Sequence, residues 1–387
     1  MKLLTKSIIL LSTLIFFSCK KEVKHTSITV ANSLDLPRSF ETVTIPVNKI
    51  NFRNEFKHFS VVDEKGDIQV SQEITQGGNV VSVLFQPKLK ANETKTYTVV
   101  EQIETDKKDT ICYSRFVPER TDDYAWENDK VAFRVYGPTA QKMKEDGVDG
   151  GTLSSGIDCW LKRVEYPIIN KWYKKYADKT GTYHVDTGEG LDNYHVGVSR
   201  GVGGISVKSD GKYYNSKNFI SYKTLATGSI RTQFSLEYAN WDANGKKVTE
   251  TRLITLDKGS NLTRNEIQLK GVDAISIGLT LHKNDGQITK NKENGFISYW
   301  EKLGDSELGT GIVLPNLKNI IGFDYYENDK DEVKNQYVQI KVTNDKVVYY
   351  NGFGWKKSKQ FSDSTQWNTY LAQFSKRLKN PLKVIYK

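Results

Sequence analysis

The chain contains 387 residues, of which 56 are Lys or Arg and 46 are Asp or Glu, so its formal net charge is +10. The lysines are spread along the chain without a recognisable nucleic-acid-binding motif, which argues against a nucleic-acid partner. A diffuse positive field suits a polyanionic partner such as an acidic glycan, although solubility alone would explain it equally well.

The first residues have the features of an export signal. Lys2 and Lys6 flank the apolar run 8–17, and Ser18 precedes Cys19. A positive start, an apolar run of about ten residues and a small residue before a cysteine are typical of lipoprotein signals. We predict that residues 1–19 form such a signal and that a lipid on Cys19 anchors an exported protein to the bacterial envelope. An ordinary secretory signal is the alternative.

Two further cysteines, Cys112 and Cys159, follow in the rest of the chain. Export would permit a disulfide between them, but two cysteines are also common as unpaired buried residues. Their spacing is not that of a zinc site. The sequence leaves their pairing open.

Strand patterns dominate the remainder, because Tyr, Phe, Thr, Val and Ile alternate with polar residues between turns such as Asn244-Gly245. The predicted strands are 27–30, 41–47, 80–85, 94–100, 131–136, 158–164, 231–238, 249–256, 276–282, 296–301, 337–342 and 346–350. Helical spacing of apolar residues is clear only over 363–378. These patterns predict an all-β sandwich with one short C-terminal helix. We expect an N-terminal lobe over 26–117 and a larger catalytic domain over 118–387.

The segment 182–197 concentrates ionisable groups and glycines. It contains His184, Asp186, Glu189, Asp192 and His195. One interpretation is a polar loop whose charges satisfy one another. A second is a divalent metal site, since carboxylates near histidine suit such ions. We favour the third, an acid/base site, because imidazole titrates near neutral pH.

Other candidates come from strand alternation, which places cationic and aromatic side chains on one sheet face. Such a face would form a sugar groove, since rings stack on pyranoses and cations bind sugar carboxylates. Each of these residues, taken alone, is more simply explained as part of a solvated outer face. The candidates are Arg134, Tyr136, Trp160, Lys162, Arg200, Arg231 and His282.

Four blocks of the sequence, 125–138, 155–162, 184–204 and 350–355, resemble the signature blocks of one family. It comprises exported proteins encoded in bacterial polysaccharide-utilisation loci, and its characterised member is an ulvan oligosaccharide dehydratase. The resemblance implies a galactose-mutarotase-like super-sandwich. The residues that match the family pattern are His184, Asp186, Gly188, Glu189, Gly190, Asp192, Tyr194 and Gly197, whereas His195 stands where lysine is common.

The activity that this resemblance implies is a β-elimination of water from C4 of a non-reducing-terminal uronate, giving a 4,5-unsaturated product. The C5 proton is weakly acidic, so cations must neutralise the neighbouring carboxylate; Arg134, Lys162, Arg200 and Arg231 are the candidates. Trp160, Tyr136 and Glu189 would contact the sugar. A divalent ion, held by Asp186, Glu189 or Asp192, is left open as a cofactor.

His184 is the preferred base, and the acid that protonates the leaving hydroxyl would be His195, Tyr194, Lys162 or His282. The expected partners are acidic oligosaccharides containing uronate. A polysaccharide lyase using the same elimination, a mutarotase or epimerase, and a non-catalytic glycan-binding lipoprotein remain alternatives. No nucleophile elbow or phosphate-binding loop of standard spacing occurs in the sequence.

Overall fold

A computed structural model describes residues 25–53, 58–103, 109–328 and 333–387. The predicted signal peptide and Cys19 lie outside these residues. The N-terminal part contains seven strands: β1 (Thr26–Ala31), β2 (Val43–Pro46), β3 (Phe59–Asp63), β4 (Ile68–Gln69), β5 (Ser71–Gln76), β6 (Asn79–Phe85) and β7 (Thr94–Glu101). In β1 alternate side chains, such as Ile28 and Val30, are buried, which is the two-residue period of a strand with one covered face.

The middle of the chain adds five strands and two short helices. They are β8 (Tyr113–Val117), β9 (Asp123–Glu127), β10 (Ala132–Val135), α1 (Pro138–Glu145), β11 (Asp158–Lys162), α2 (Ile169–Ala177) and β12 (Gly190–Leu191). The strands form one antiparallel sheet in the order β12-β11-β10-β9-β8, which we call the site sheet. Every residue of β9, β10 and β11 is buried, so both faces of this sheet are covered.

The C-terminal part carries the remaining elements. They are β13 (Val202–Ser209), β14 (Lys212–Tyr214), β15 (Phe219–Ala226), β16 (Arg231–Tyr238), β17 (Trp241–Asp242), β18 (Lys247–Asp257), β19 (Leu262–Lys270), β20 (Ala274–Thr280), β21 (Gln287–Asn291), β22 (Phe296–Leu303), β23 (Ser306–Val313), β24 (Ile320–Tyr326), β25 (Asn335–Lys341), β26 (Lys346–Trp355), α3 (Ser364–Lys379) and β27 (Lys383–Tyr386). They build a nine-stranded sheet, β15-β16-β18-β19-β26-β23-β22-β21 with β17 beside β18, and a five-stranded sheet, β14-β13-β20-β25-β24.

The main hydrophobic core lies between the nine-stranded sheet on one side and the five-stranded and site sheets on the other. The nine-stranded sheet contributes Phe234 and Ile254, the five-stranded sheet Ile277 and the site sheet Phe133. All four side chains are fully buried. The N-terminal lobe has a separate core. The C-terminal strand β27 joins that lobe by pairing with β1, with Val384 opposite Val30.

Helix α3 begins where the sequence predicts it. The side chain of Asp363 accepts a hydrogen bond from the amide of Gln366 at 2.9 Å and so caps the helix. Trp367 and Leu371, four residues apart, are fully buried against the nine-stranded sheet. None of the helices within the described residues is long and apolar enough to cross a membrane.

The prediction of an all-β sandwich with a C-terminal helix is confirmed, and the predicted strands overlap observed ones. Helices α1 and α2 were not predicted. Cys112 and Cys159 are buried free cysteines, so no disulfide joins them. The division into an N-terminal lobe and a catalytic domain stays a prediction.

Candidate functional site

Residues 183–192, which we call the His184 loop, fold back on themselves beside the site sheet. The amide of Asp192 donates to the main-chain oxygen of Tyr183 at 2.8 Å and closes the loop. Inside it, Oδ1 of Asp186 accepts from the amides of Gly188 and Gly190 at 2.9 and 3.1 Å. Gly190 has φ of 121°, and a Cβ there would lie 1.9 Å from the main-chain oxygen of Leu161, so the close approach to β11 requires glycine.

His184 lies at the point where this loop closes. Its Nδ1 is 2.7 Å from the main-chain oxygen of Asp192 and 3.7 Å from the Asp192 carboxylate. A carbonyl oxygen only accepts, so the ring carries its proton on Nδ1 and Nε2 is the acceptor when the ring is neutral. The side chain is 51% exposed. This tautomer and exposure are what a general base needs.

A cavity of about 410 Å³, which we call the loop cavity, adjoins the His184 loop. His184 is not a wall residue of this cavity, but its ring packs 4.5 Å from the ring of Tyr183, which is one. The wall is formed by the loop, by α2 and by the turn before α2. Its residues are Tyr166, Lys171, Trp172, Lys175, Thr182, Tyr183, Val185, Thr187, Gly188, Glu189 and Gly190.

Glu189 is fixed at one side of the cavity by three donors. Its Oε1 accepts from the hydroxyl of Tyr166 and the ammonium of Lys171, each at 2.6 Å, and its Oε2 accepts from Trp172 Nε1 at 3.3 Å. Burial alone would raise the pKa of Glu189, but the bonds from Lys171 and Tyr166 outweigh it and lower that pKa. Glu189 is therefore a carboxylate whose charge Lys171 neutralises.

Lys175 gives the cavity its surplus charge. Among the described residues it has no carboxylate partner, whereas Lys171 is paired with Glu189. Two lysines and one glutamate line the cavity, so the net charge of its wall is positive by one unit. Such a wall attracts an anion of small size, and the rings of Tyr166, Trp172 and Tyr183 provide flat apolar surfaces beside it.

Arg134 lies on the site sheet behind the His184 loop and is not free to bind a sugar acid. Its guanidinium donates to Asp158 at 2.5 and 2.9 Å and to Asp192 at 3.0 Å, and Asp123 lies at 3.6 Å. Burial raises the pKa of Asp123 to about 6, against the opposing charge of Arg134. Burial and mutual repulsion also raise the pKa values of Asp158 and Asp192. Three carboxylates are therefore ion-paired with the one guanidinium of Arg134.

The face of the site sheet on which the sequence predicts an open sugar groove is covered by α2. Ile169, Trp172 and Tyr173 of this helix pack with Trp160, which is fully buried. Lys162 is also fully buried, and its ammonium donates to Glu127 at 2.8 Å. Neither side chain can contact a sugar in this structure, because a helix that the sequence did not predict lies over them. Tyr136 is half-buried, and the Cζ atom of the Arg134 guanidinium lies over its ring, 5.2 Å from the ring centre.

Two other predicted cations lie elsewhere. Arg200 is buried at the edge of the main core and donates to Ser155 Oγ at 3.0 Å and to the main-chain oxygens of Ile205 and Val198; burial lowers its pKa. Arg231, on β16, forms a two-bond pair with Asp257 at 2.7 and 2.8 Å. The predicted convergence of four cations on one face is therefore not observed.

His282 belongs to a second cluster, next to Tyr194 and His195. Its Nδ1 lies 2.7 Å from Oε1 of Glu301, and its Nε2 lies 2.9 Å from the main-chain oxygen of His195. Both ring nitrogens therefore donate, so this imidazole is protonated and cannot act as a base. The Tyr194 ring packs edge-on against it at 4.8 Å and is buried, whereas the side chain of His195 is exposed.

The three carboxylates proposed for a metal each have a different partner. Asp186 bonds Arg163 at 3.0 Å, Glu189 bonds Lys171, and Asp192 bonds Arg134. Within the part of the chain that the structure describes, no group of three or more His, Cys, Asp or Glu residues could hold a metal ion. These side chains do not fit a resident divalent cation.

Residues 30–384 match the model of a protein family described as "Domain of unknown function (DUF4861)". The chain belongs to this family. It is also 51% identical over 381 residues to "Uncharacterized protein P7" of Formosa agariphila, covering 96% of each chain.

Two solved structures from Enterococcus faecalis resemble the DUF4861 chain in fold. An α-mannosidase from strain V583 matches with a TM-score of 0.50 and 9% identity over 94% of this chain and 46% of its own. A glycosyl hydrolase family 38 protein matches with a TM-score of 0.49 and 8% identity, over 94% and 47%. The chain thus spans about half the length of the solved structures it matches. The α-mannosidase supports the sandwich fold alone.

Three polar residues of the DUF4861 site were missed by sequence reasoning: Tyr166, Lys171 and Lys175. All three belong to α2 or to the turn before it. The spacing of Ile169, Trp172 and Tyr173 is that of a helix with one apolar face. This pattern could have identified helix α2 and, with it, the missed polar residues.

Proposed function

We propose that this DUF4861 protein is a dehydratase that acts on uronate-ended oligosaccharides. The proposal rests on one observation: His184, with Nδ1 bonded to a main-chain oxygen, leaves Nε2 as an acceptor and packs against Tyr183, a wall residue of the loop cavity, which also contains Lys175, a lysine with no carboxylate partner among the described residues. A base beside a surplus cation is the minimum that removal of a proton next to a carboxylate requires. The family resemblance supplies the substrate class, acidic oligosaccharides such as those of ulvan.

In the proposed reaction, Nε2 of His184 takes the proton from C5 of the terminal uronate. The electron pair of the C5–H bond forms the C4–C5 double bond, and the C4–O bond breaks. The C4 hydroxyl leaves as water after an acid protonates it. Lys175 would neutralise the sugar carboxylate while charge accumulates on it, and one well-placed donor contributes about 3 kcal/mol to such a transition state.

Burial and hydrogen bonding narrow the choice of the acid. Lys162 and Tyr194 are buried, and both ring nitrogens of His282 are already bonded. His195 is the exposed member of the four candidates. It belongs to the cluster of His282 and is not a wall residue of the loop cavity, and we assign the acid role to it in this proposal. Its main-chain oxygen is bonded by His282, which fixes the backbone from which the His195 side chain extends.

Mass spectrometry of the protein incubated with saturated uronate-ended oligosaccharides tests the activity. Loss of one water per chain, with the degree of polymerisation unchanged and ultraviolet absorbance of an unsaturated uronate, is the expected result. Unsaturated fragments from intact polymer would indicate a lyase instead. Binding without any mass change would indicate a glycan-binding protein. The absence of both binding and mass change would reject the proposal.

The location of the protein is part of the same proposal. We propose that it is exported and attached to the envelope through a lipid on Cys19, so that the loop cavity meets oligosaccharides outside the cytoplasm. Metabolic labelling with a clickable fatty acid, compared between wild type and Cys19→Ser, tests this. Labelling that persists in Cys19→Ser would contradict it.

A further inference from the structure

A second cavity, which we call the helix cleft, lies where α3 and β27 meet the N-terminal lobe. Its volume of about 480 Å³ is within the range of small-molecule sites. The walls come from segment 39–44, from residues 259 and 260, and from the C-terminal part between Tyr370 and Val384. The helix cleft shares no residue with the loop cavity, and it has no part in the proposed dehydration.

The body of the helix cleft is apolar. Phe374 and Leu378 from α3 face it together with Leu382. Phe40 lines it as well, although its side chain is 46% exposed. The Phe40 ring lies on the backbone of Gly259, where a Cβ would come within 2.2 Å of it, so the ring is supported from below. A concave apolar surface of this kind favours an apolar ligand body, because filling it removes that surface from water.

Two of the polar groups in the wall of the helix cleft are already engaged. Tyr370 contributes its ring to the cleft, while its hydroxyl accepts a hydrogen bond from the amide of Asn261 at 3.0 Å. Glu41 has both oxygens bonded by Arg38, which is buried. Neither group is therefore a free acceptor for a ligand hydroxyl in this structure.

Arg377 gives the helix cleft a surplus positive charge, because it and Arg38 share the single carboxylate of Glu41. Its Nε lies 3.7 Å from Oε1 of Glu41, beyond hydrogen-bond distance, and is a buried atom without a hydrogen-bond partner. Glu41 is already held by the two-pronged bond from Arg38. Two guanidinium groups therefore share one carboxylate. A buried donor without a partner is costly, so an anion placed at Arg377 would be stabilised.

We infer that the helix cleft binds a small amphipathic carboxylate, with its head group at Arg377 and its apolar body against Phe40, Phe374 and Leu378. The charge of Arg377 determines the sign of the head group, and the apolar walls determine the character of the body. The volume of the cleft, about 480 Å³, limits the size of the apolar body of the ligand to a medium-length acyl chain or a small ring system.

Isothermal titration calorimetry of the purified protein with decanoate and, separately, with decyltrimethylammonium tests this inference. Decanoate should bind at a single site, and the cation of equal chain length should bind at least about tenfold more weakly. Acetate, which has the head group without the body, should not compete with decanoate. Equal affinity for the two decyl compounds, or no heat with decanoate, would overturn the inference.

Matched variants locate the site. Arg377→Gln should weaken decanoate binding about tenfold. Lys379→Gln, which removes a charge from the same helix at a residue outside the cleft, should leave it unchanged. Phe40→Ala removes an exposed ring without opening a core and should also weaken binding. Wild-type affinity in both Arg377→Gln and Phe40→Ala would show that decanoate binds elsewhere.

Discussion

His282 donates a hydrogen bond to the buried carboxylate of Glu301 at 2.7 Å while its own backbone has φ of 45°, a left-handed conformation unusual for histidine. Burial alone would lower the pKa of His282, but the bond and the charge of Glu301 outweigh it, so that pKa is raised. The pair thus holds a strained backbone in place, and it does so in a way that depends on pH.

The raised pKa predicts a loss of stability with rising pH. Stabilisation by the pair is complete below the unfolded histidine value of about 6.5 and is lost as the pH rises through the folded value. Near pH 6.5, Glu301→Gln should lower the free energy of unfolding by about 2 kcal/mol. Urea unfolding at increasing pH should show this difference shrinking, and a difference that stays constant would contradict the prediction.

Removing the proposed base should stop the reaction without unfolding the protein. His184→Gln is expected to reduce the rate of water loss at least about a hundredfold, because general base catalysis contributes that much or more. The side chain is half exposed, so the free energy of unfolding should change by less than about 1 kcal/mol. His58→Gln, which alters a histidine of the N-terminal lobe paired with Glu73, is the control. Equal loss of activity in both variants would remove His184 from the mechanism.

The surplus charge of the loop cavity should determine affinity for acidic oligosaccharides. Lys175→Gln is expected to raise the dissociation constant about tenfold, since a charge-assisted bond is lost. Lys174→Gln changes the neighbouring lysine, which pairs with Asp178 outside the cavity, and should have little effect. Calorimetric titration with a uronate-ended oligosaccharide compares the two, and similar weakening in both would indicate a diffuse field instead of a site.

Lys162 should behave as a structural residue. Its ammonium and the Glu127 carboxylate are both fully buried, and Glu127 also accepts from the amides of Ile168 and Ile169 at the start of α2. Lys162→Met should lower the free energy of unfolding by about 3 kcal/mol, because it leaves a buried carboxylate without its cation. Water loss per folded molecule should persist. A stable but inactive Lys162→Met variant would return this lysine to the list of catalytic candidates.

The buried aspartates around Arg134 predict a further loss of stability with rising pH, over a more acidic interval than the His282–Glu301 pair. The folded pKa of Asp123, about 6, lies above the unfolded value of about 3.9. The folded state therefore binds the extra proton, and this group makes stability fall as the pH rises from about 4 to 6. Asp123→Asn removes this contribution, so the variant should gain stability relative to wild type across that interval. The free energies of unfolding of wild type and Asp123→Asn, measured with urea between pH 4 and 6, test this. If the two change in parallel with pH, the prediction is wrong.

The strands could be predicted because their pattern is local. Alternation in segments such as 231–238 reflects one buried face, and β16 covers that range. Asp363 and the spacing of Trp367 and Leu371 likewise identified α3. The sequence did not reveal helix α2 because the helix has only nine residues and four of them are Asn or Lys. Its existence depends on burying Trp172 and Tyr173 against Trp160 of β11, a contact between two elements that neither element's own pattern reveals.

The candidate site could be predicted only in part, for a related reason. The glycines and carboxylates of 184–192 marked a loop of unusual shape. Glu189 does line the loop cavity, and His184 packs against Tyr183, another residue of its wall. Sequence could not show that Arg134 meets three aspartates, because they come from three separate strands or loops. Pairing of charges across a fold is a long-range property, and alternation along one strand contains no information about it.

The pairing of β27 with β1 affects how this chain can fold as it is made. Synthesis proceeds from the amino end, so β1 has β7 on one side long before the strand that belongs on its other side exists. Until the last residues emerge, the amide and carbonyl groups along that side of β1 remain available to any extended segment. A chaperone that shields β1, or rapid completion of the carboxyl end, would protect the growing polypeptide from aggregation.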